Sequence, residues 1–382
     1  MLLHTLFLQL PCLLAAALPL AADTTSPRAI VVQAQTSYEE NTKQLLQQSR
    51  TSCNWHTVSI RKAWDDLTEA ERSNYVASVH CLLAKKPARS HPREVPGART
   101  WNDDFVWAHI KETNFIHGSG LLLPWHRQFM WAYEQTLRNE CGYRGALPYW
   151  AWERHADDQS KSPVFQPGPT SFGGNGQFVP HGPRNGSLVG LPPGFSLSLP
   201  IPAGTGGGCI RDGAFKEVTI NLGPVASANN TPDNLYGNQY NTRCITRDYY
   251  QQGSTAGLTH KTISDLWALE SIHDFRPLLE ALAHPTSHVF VGGEESDQYA
   301  SPNDPVFYLL HAQIDRLWTV WQGQDYASRR SALDGTVTMQ NVPPSENATL
   351  ATAMHMGIAA GGDVPISRAM SATENDYCYM YA

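Results

Sequence analysis

Six of the fifteen histidines fall into two sets of three, and nothing else in the 382 residues constrains the fold as tightly. His109, His117 and His126 follow the spacing His-x7-His-x8-His. His284 and His288 stand four apart, so on a helix they share one face, and His311 follows after 22 intervening residues. Three imidazoles converge on one point only if rigid elements carry them, and helices meet that demand better than loops. A single histidine is ordinarily a surface or core residue; the inference rests on the joint arrangement.

The surrounding pattern is helical where the histidines need it. Residues 62–86 set Tyr75, Val76, Val79, Leu82 and Leu83 at three- and four-residue steps behind Thr68-Glu69-Ala70-Glu71, which reads as a capping box. Pro87 ends that window. Windows 101–115 and 125–140 follow, divided by Gly118-Ser119-Gly120 and closed by Cys141-Gly142, with Pro124 where a first turn tolerates proline. The pattern resumes over 263–283 and 305–321, where Asp304 can cap and Pro305 can occupy the first turn. Residues 163–257 are crowded with Gly, Pro, Asn and Ser, yet aromatic residues and two cysteines punctuate them. A packed, loop-rich segment is therefore expected rather than a flexible linker. The tail from Ser328 shows no repeat.

Composition narrows the partners. With 41% hydrophobic residues the chain can bury one or two sizeable cores, and a net charge of -7 without a dense Lys/Arg run gives no footprint for nucleic acid. A small molecule is the expected partner. Residues 1–22 form an apolar run ending in small residues, which reads as a secretory signal peptide; Pro11 and Pro19 leave its apolar stretches short for a membrane anchor. Its removal discards Cys12 and leaves Cys53, Cys81, Cys141, Cys209, Cys244 and Cys378, an even set for a secreted chain, with all pairings open on this count. Sequons at Asn185, Asn229 and Asn347 lie in polar, loop-like stretches and fit the same compartment.

Each histidine set lacks a cysteine or carboxylate at ligand spacing, which suits copper, zinc, nickel or iron and not a hard ion. Three histidines can hold a catalytic zinc, so a zinc hydrolase is one reading. Two such sites on facing helices point instead to a pair of redox metals, a role closed to zinc. Two Cu(I) ions can together pass two electrons to O2 and regain them from an o-diphenol. Asp315, one turn beyond His311, is the candidate to orient that imidazole, with a surface ion pair to Arg316 or a neighbour as the alternative.

Two blocks carry a family resemblance. The first is His117-Gly-Ser-Gly-Leu-Leu-Leu-Pro-Trp-His126-Arg127, with Tyr133-Glu134 and Pro148-Tyr149-Trp150 after it. The second is His284-Pro-Thr-Ser-His288 with Gly292-Gly293, then Ser301-Pro-Asn-Asp304-Pro305-Val-Phe307-Tyr308-Leu-Leu-His311-Ala-Gln-Ile-Asp315-Arg316-Leu317-Trp318. From about Cys53 onward the chain resembles the tyrosinases, catechol oxidases and related type-3 copper proteins. The resemblance implies a mainly α fold, a four-helix bundle with long loops and a few short strands. It implies a single domain over 23–382, with a CuA region at about 101–141 (His109, His117, His126) and a CuB region at about 280–322 (His284, His288, His311). It also implies oxidation of o-diphenols to o-quinones by O2, with monophenols, o-aminophenols or a phenolic secondary metabolite as further substrates. Tyr379-Met380-Tyr381 resembles the closing Tyr-x-Tyr motif, which an N-terminal arginine, Arg61, should hold; with only Ala382 after it, the short fungal subgroup without a C-terminal placeholder domain is implied.

Three positions depart from the family pattern: Phe115 stands where some members carry a crosslinked cysteine, Ala151 replaces an aspartate, and Leu310 replaces a histidine beside the last ligand. In the family, a glutamate and an asparagine directly after the first CuB histidine help a phenol lose its proton. Glu280 is the candidate glutamate, with a structural ion pair as the alternative, and Pro285 occupies the asparagine's place. Diphenol oxidation should therefore exceed monophenol hydroxylation. Cys81 is expected to pair with Cys141, each at the end of a helix, Cys53 with Cys378, and Cys209 with Cys244. A haemocyanin-like O2 carrier, which uses the same six histidines, is the alternative function.

Overall fold

The structure, a computed structural model, describes residues 25–188, 197–225 and 236–382. The signal-peptide segment 1–22 and the sequon at Asn229 lie outside the described residues. Nine helices of seven residues or more are described: α1 Pro27–Gln48, α2 Glu69–Ala84, α3 Trp101–Ile116, α4 Leu122–Cys141, α5 Gln251–Gly257, α6 His260–Trp267, α7 Ile272–Ala281, α8 Ala283–Val291 and α9 Val306–Gln324. Helices α3, α4, α8 and α9 surround the histidines. α4 lies against α2 on one side and α9 on the other, and nearly all of α9 is buried.

Local chemistry explains most helix ends. Thr68 caps α2 and Glu71 returns the bond, closing the capping box. Gly142, in the left-handed region at φ 71, ends α4. The window 263–283 is not continuous. α6 stops at Trp267, and Ser271 starts α7 by accepting from Asp274 N–H, so a side-chain cap overrides the apolar period. Leu282 then leaves helical geometry (φ -122, ψ -79) before α8, where Pro285 falls in the first turn and its missing N–H removes no helical bond. Asp304 accepts from Val306 N–H at 3.0 Å while Pro305 takes the capping position of α9.

Sequence periodicity gave no sign of α1. It packs on α6 and α9 through Val31, Tyr38, Thr42 and Leu46, a stripe too sparse and too polar to stand out.

Strands are short and come in pairs. Ser59–Arg61 runs parallel to Tyr379–Tyr381, with Arg61 opposite Tyr381. Disulfide Cys53–Cys378 fastens the same two ends, Cys81–Cys141 joins the last turns of α2 and α4, and Cys209–Cys244 closes a loop-rich region. That region is packed: Phe165, Phe172, Ile210, Phe215, Ile220 and Ile245 are buried, and Arg247 forms a fully buried ion pair with Asp304 at 2.7 Å. Asn185 lies in a short strand, and Asn347 is exposed.

Candidate metal centre

The fold brings the six histidines into two groups, His109, His117, His126 and His284, His288, His311, and within each group the ligand-capable atoms lie within 4.8 Å of one another. His109 projects from the middle of α3, His117 occupies its C-cap and His126 lies in the second turn of α4. His284 and His288 share a face of α8, and His311 sits in α9. The groups face each other. The rings of His126 and His311 stack at 4.2 Å, and those of His117 and His284 at 5.9 Å. Phe307, one turn before His311, packs its ring 4.2 Å from His311 and 5.1 Å from His109, closing one side against water.

The imidazoles are prepared as ligands. Burial holds His117 down to about 4 and His288 to about 3, and keeps the other four well below the ordinary histidine value, so all six are neutral near pH 7. Nδ1 of His109, His117 and His126 meets the carbonyls of Tyr299, Thr113 and Leu122 at 2.7, 3.0 and 2.8 Å. A ring that donates there turns Nε2 inward as a lone pair. Among the described residues, His109 Nε2, His126 Nε2, His284 Nδ1 and both nitrogens of His311 have no hydrogen-bond partner although buried. Nε2 of His284 and of His288 lie 3.2 Å apart, a span that one ion with metal–nitrogen bonds of about 2.0 Å bridges. Orphaned buried nitrogens in a donor set without carboxylates fit copper.

Residues 99–324 match the family model for the common central domain of tyrosinase. The chain belongs to the tyrosinase family. Tyrosinase-like protein orsC of Emericella nidulans is 37% identical and covers 80% of this chain and 84% of its own. From the same organism, N-acetyl-6-hydroxytryptophan oxidase ivoB is 35% identical, over 86% and 93%. A solved polyphenol oxidase variant from Thermothelomyces thermophila is 35% identical and superposes with a TM-score of 0.85, covering 95% of this chain and all of that one. This tyrosinase-family protein is a copper oxidase that uses O2 on phenolic substrates, and its two histidine groups fit the paired coppers of the family.

Asp315 does not orient His311. Its carboxylate accepts from Arg127 Nε (2.6 Å), Tyr379 OH (2.6 Å), Tyr381 OH (2.7 Å) and Arg61 Nη1 (3.3 Å), which leaves no lone pair for a ring one turn away. Burial raises its pKa, but Arg127 and Arg61 outweigh that and hold it below the usual carboxylate range. The alternative, an ion pair, holds in kind but not in place: it is buried and made with Arg127 and Arg61, while Arg316 is buried and pairs with Glu153 at 3.1 Å. Arg61 reaches Glu134 at 2.7 Å and stacks 3.6 Å over the Tyr379 ring. One buried charge cluster thus joins the strands Ser59–Arg61 and Tyr379–Tyr381 to α4 and α9.

Glu280 is fully buried, accepts from Gly118 N–H beside His117, and pairs with Arg276 at 3.0 Å. Burial pushes its carboxyl up to about 6 against the pull of Arg276. Ala151 is buried, and a carboxylate appears two residues later, where Glu153 accepts from Gln313 at 2.9 Å. Phe115 is exposed and Leu310 is buried. Sequence reading missed Glu295, whose Oε2 lies 2.8 Å from His288 Nδ1. Its signal was the preceding Gly292-Gly293: both have positive φ, and a Cβ on Gly293 would fall 2.0 Å from Thr246 O.

Proposed function

We propose that this chain is a secreted o-diphenol oxidase in which His109, His117 and His126 hold one copper and His284, His288 and His311 the other. The facing arrangement of the two groups, with His126 and His311 stacked at 4.2 Å, carries this reading. Bound copper supplies reversible one-electron chemistry that couples phenol oxidation to O2 reduction. The protein's own residues do the rest. Carbonyls orient the first three imidazoles, and Phe307 excludes water from one side. His288, with 14% of its side chain exposed, marks the side from which a phenol approaches. That exposure favours an oxidase over a haemocyanin-like carrier.

Glu280 is the group that helps a monophenol lose its proton, but Arg276 and Gly118 N–H already occupy its oxygens and Pro285 offers no amide beside it. Diphenols are therefore the better substrates. One relative is named for oxidising a hydroxylated indole amino acid, and a small hydroxyarene of a secondary pathway fits here too. Three disulfides support an oxidising compartment, and removal of residues 1–22 with glycosylation at Asn185, Asn229 and Asn347 accords with secretion. We take 23–382 as one catalytic domain, supported by a core shared from Val31 to Tyr381.

Metal analysis should give about two coppers per chain, since each triplet suits one ion. An oxygen electrode should record sustained consumption with 4-tert-butylcatechol. A single bound zinc without copper, or stoichiometric O2 uptake without turnover, would overturn the proposal.

A further inference from the structure

We infer that Glu295 is a positioning residue for the second copper: it orients His288 and balances the charge that the metal brings. The inference rests on the dicopper reading above. Glu295 is 1% exposed, and its Oε2 lies 2.8 Å from His288 Nδ1. Its neighbours' cations are committed elsewhere, Arg243 to Glu294 at 2.6 Å and Arg247 to Asp304 at 2.7 Å. Among the described residues His288 is the ion-pair partner recorded for Glu295. Arg247 still pulls on Glu295 from its pair with Asp304, but the second carboxyl oxygen, Oε1, is buried with no hydrogen-bond partner, so the His288 ring is the group its side chain engages. An imidazole whose Nε2 binds a cation donates a more polarised N–H from Nδ1, so metal binding strengthens the contact that Glu295 makes.

The site is built to deliver this group. The paired positive φ of Gly292 (67°) and Gly293 (54°) turns the chain back at the end of α8, and Glu294 N–H bonds Thr246 O at 3.2 Å. The short helix Gly293–Ser296 then sets Glu295 under the ring it anchors, seven residues away. No imidazole of the first group has a carboxylate on Nδ1; all three use carbonyls.

The test is Glu295→Gln, which keeps size and an acceptor oxygen but removes the charge, with Glu294→Gln as a second variant in the same turn that touches no histidine. Copper titration against a competing chelator should show one equivalent weakened about 10- to 100-fold and the other unchanged. Partly loaded Glu295→Gln should then show the electron paramagnetic resonance signal of a lone Cu(II). Melting of metal-free Glu295→Gln should be as high as wild type or higher, because the amide keeps the size and the acceptor oxygen and removes a group whose charge burial penalises. Glu294→Gln should lower melting, through loss of the Arg243 pair, and leave copper affinity intact. Two equivalents held by Glu295→Gln as tightly as by wild type, equal copper loss in both variants, or metal-free Glu295→Gln that melts well below wild type or fails to fold would overturn the inference. A wild-type protein that takes up no copper would instead overturn the dicopper reading itself.

Discussion

Around the first histidine group, every imidazole leans on backbone: the carbonyls of Tyr299, Thr113 and Leu122 accept from His109, His117 and His126. Two of those carbonyls lie four residues before the histidine they hold, so forming α3 and α4 largely sets their rings. Around the second group the support is a side chain, Glu295 under His288, while His284 Nδ1 and the ring nitrogens of His311 have no hydrogen-bond partner among the described residues. Two of the three supports in the first group are thus local helix geometry and the third, from Tyr299 to His109, is tertiary, while the support found in the second group is a side chain seven residues on from His288. It follows that the second half is the one that side-chain substitutions should retune.

The largest effect expected is from His126→Ala or His311→Ala, one from each half. Oxygen consumption with a catechol should fall to background in both and copper content should drop, because three ligands are the minimum for each ion. Activity surviving in either variant would break the symmetry of requirement between the halves.

Asp315→Asn comes next. It strips the shared countercharge from Arg61 and Arg127, and loss of one partner in a buried ion pair costs about 3–5 kcal/mol, readable by chemical denaturation. Protein that folds should keep its copper, since the carboxylate touches no histidine. Copper loss without loss of stability would return Asp315 to the role of orienting His311.

Glu280→Gln should lower monophenol hydroxylation roughly 100-fold, the usual scale for removing a proton acceptor, and leave diphenol oxidation and copper content nearly intact. The same group predicts a pH limb. With its carboxyl at about 6, Glu280 is charged and able to take a proton above that value and loses the ability as pH falls through it. Wild-type monophenol activity should decline there and the diphenol rate should not. A pH profile identical in wild type and Glu280→Gln would assign the proton to another group.

Pro285→Asn should have the smallest effect, a few-fold rise in the monophenol-to-diphenol ratio, because it adds an amide beside His284 without displacing Arg276 from Glu280. An unchanged ratio would place the limitation in the Arg276 pair.

Much of this protein was legible in one dimension, and the reason is periodicity. Histidines at fixed helical spacing, the Thr68–Glu71 capping box and the Gly142 stop are local relations, so α2, α3, α4 and α9 and the six histidines could be read from order alone. What was missed depended on how the fold places partners, near or distant in sequence. α1 is polar enough to be silent until α6 and α9 cover its sparse apolar stripe. Asp315 looked like a ligand's neighbour because it lies one turn from His311, but arginines 254 and 188 residues away and the closing tyrosines claim its oxygens. Glu295 became visible only once two left-handed glycines folded it back beneath His288. The sequence by itself determined which side chains could bind copper and, for His109, His126 and His311, which helices carry them, since both follow from residue type and spacing; α8, which carries His284 and His288, begins where the apolar window 263–283 ends. Tertiary structure alone decided which carboxylate serves a histidine and which serves an arginine, because a buried charge goes to whichever donors the fold places within about 3 Å of it.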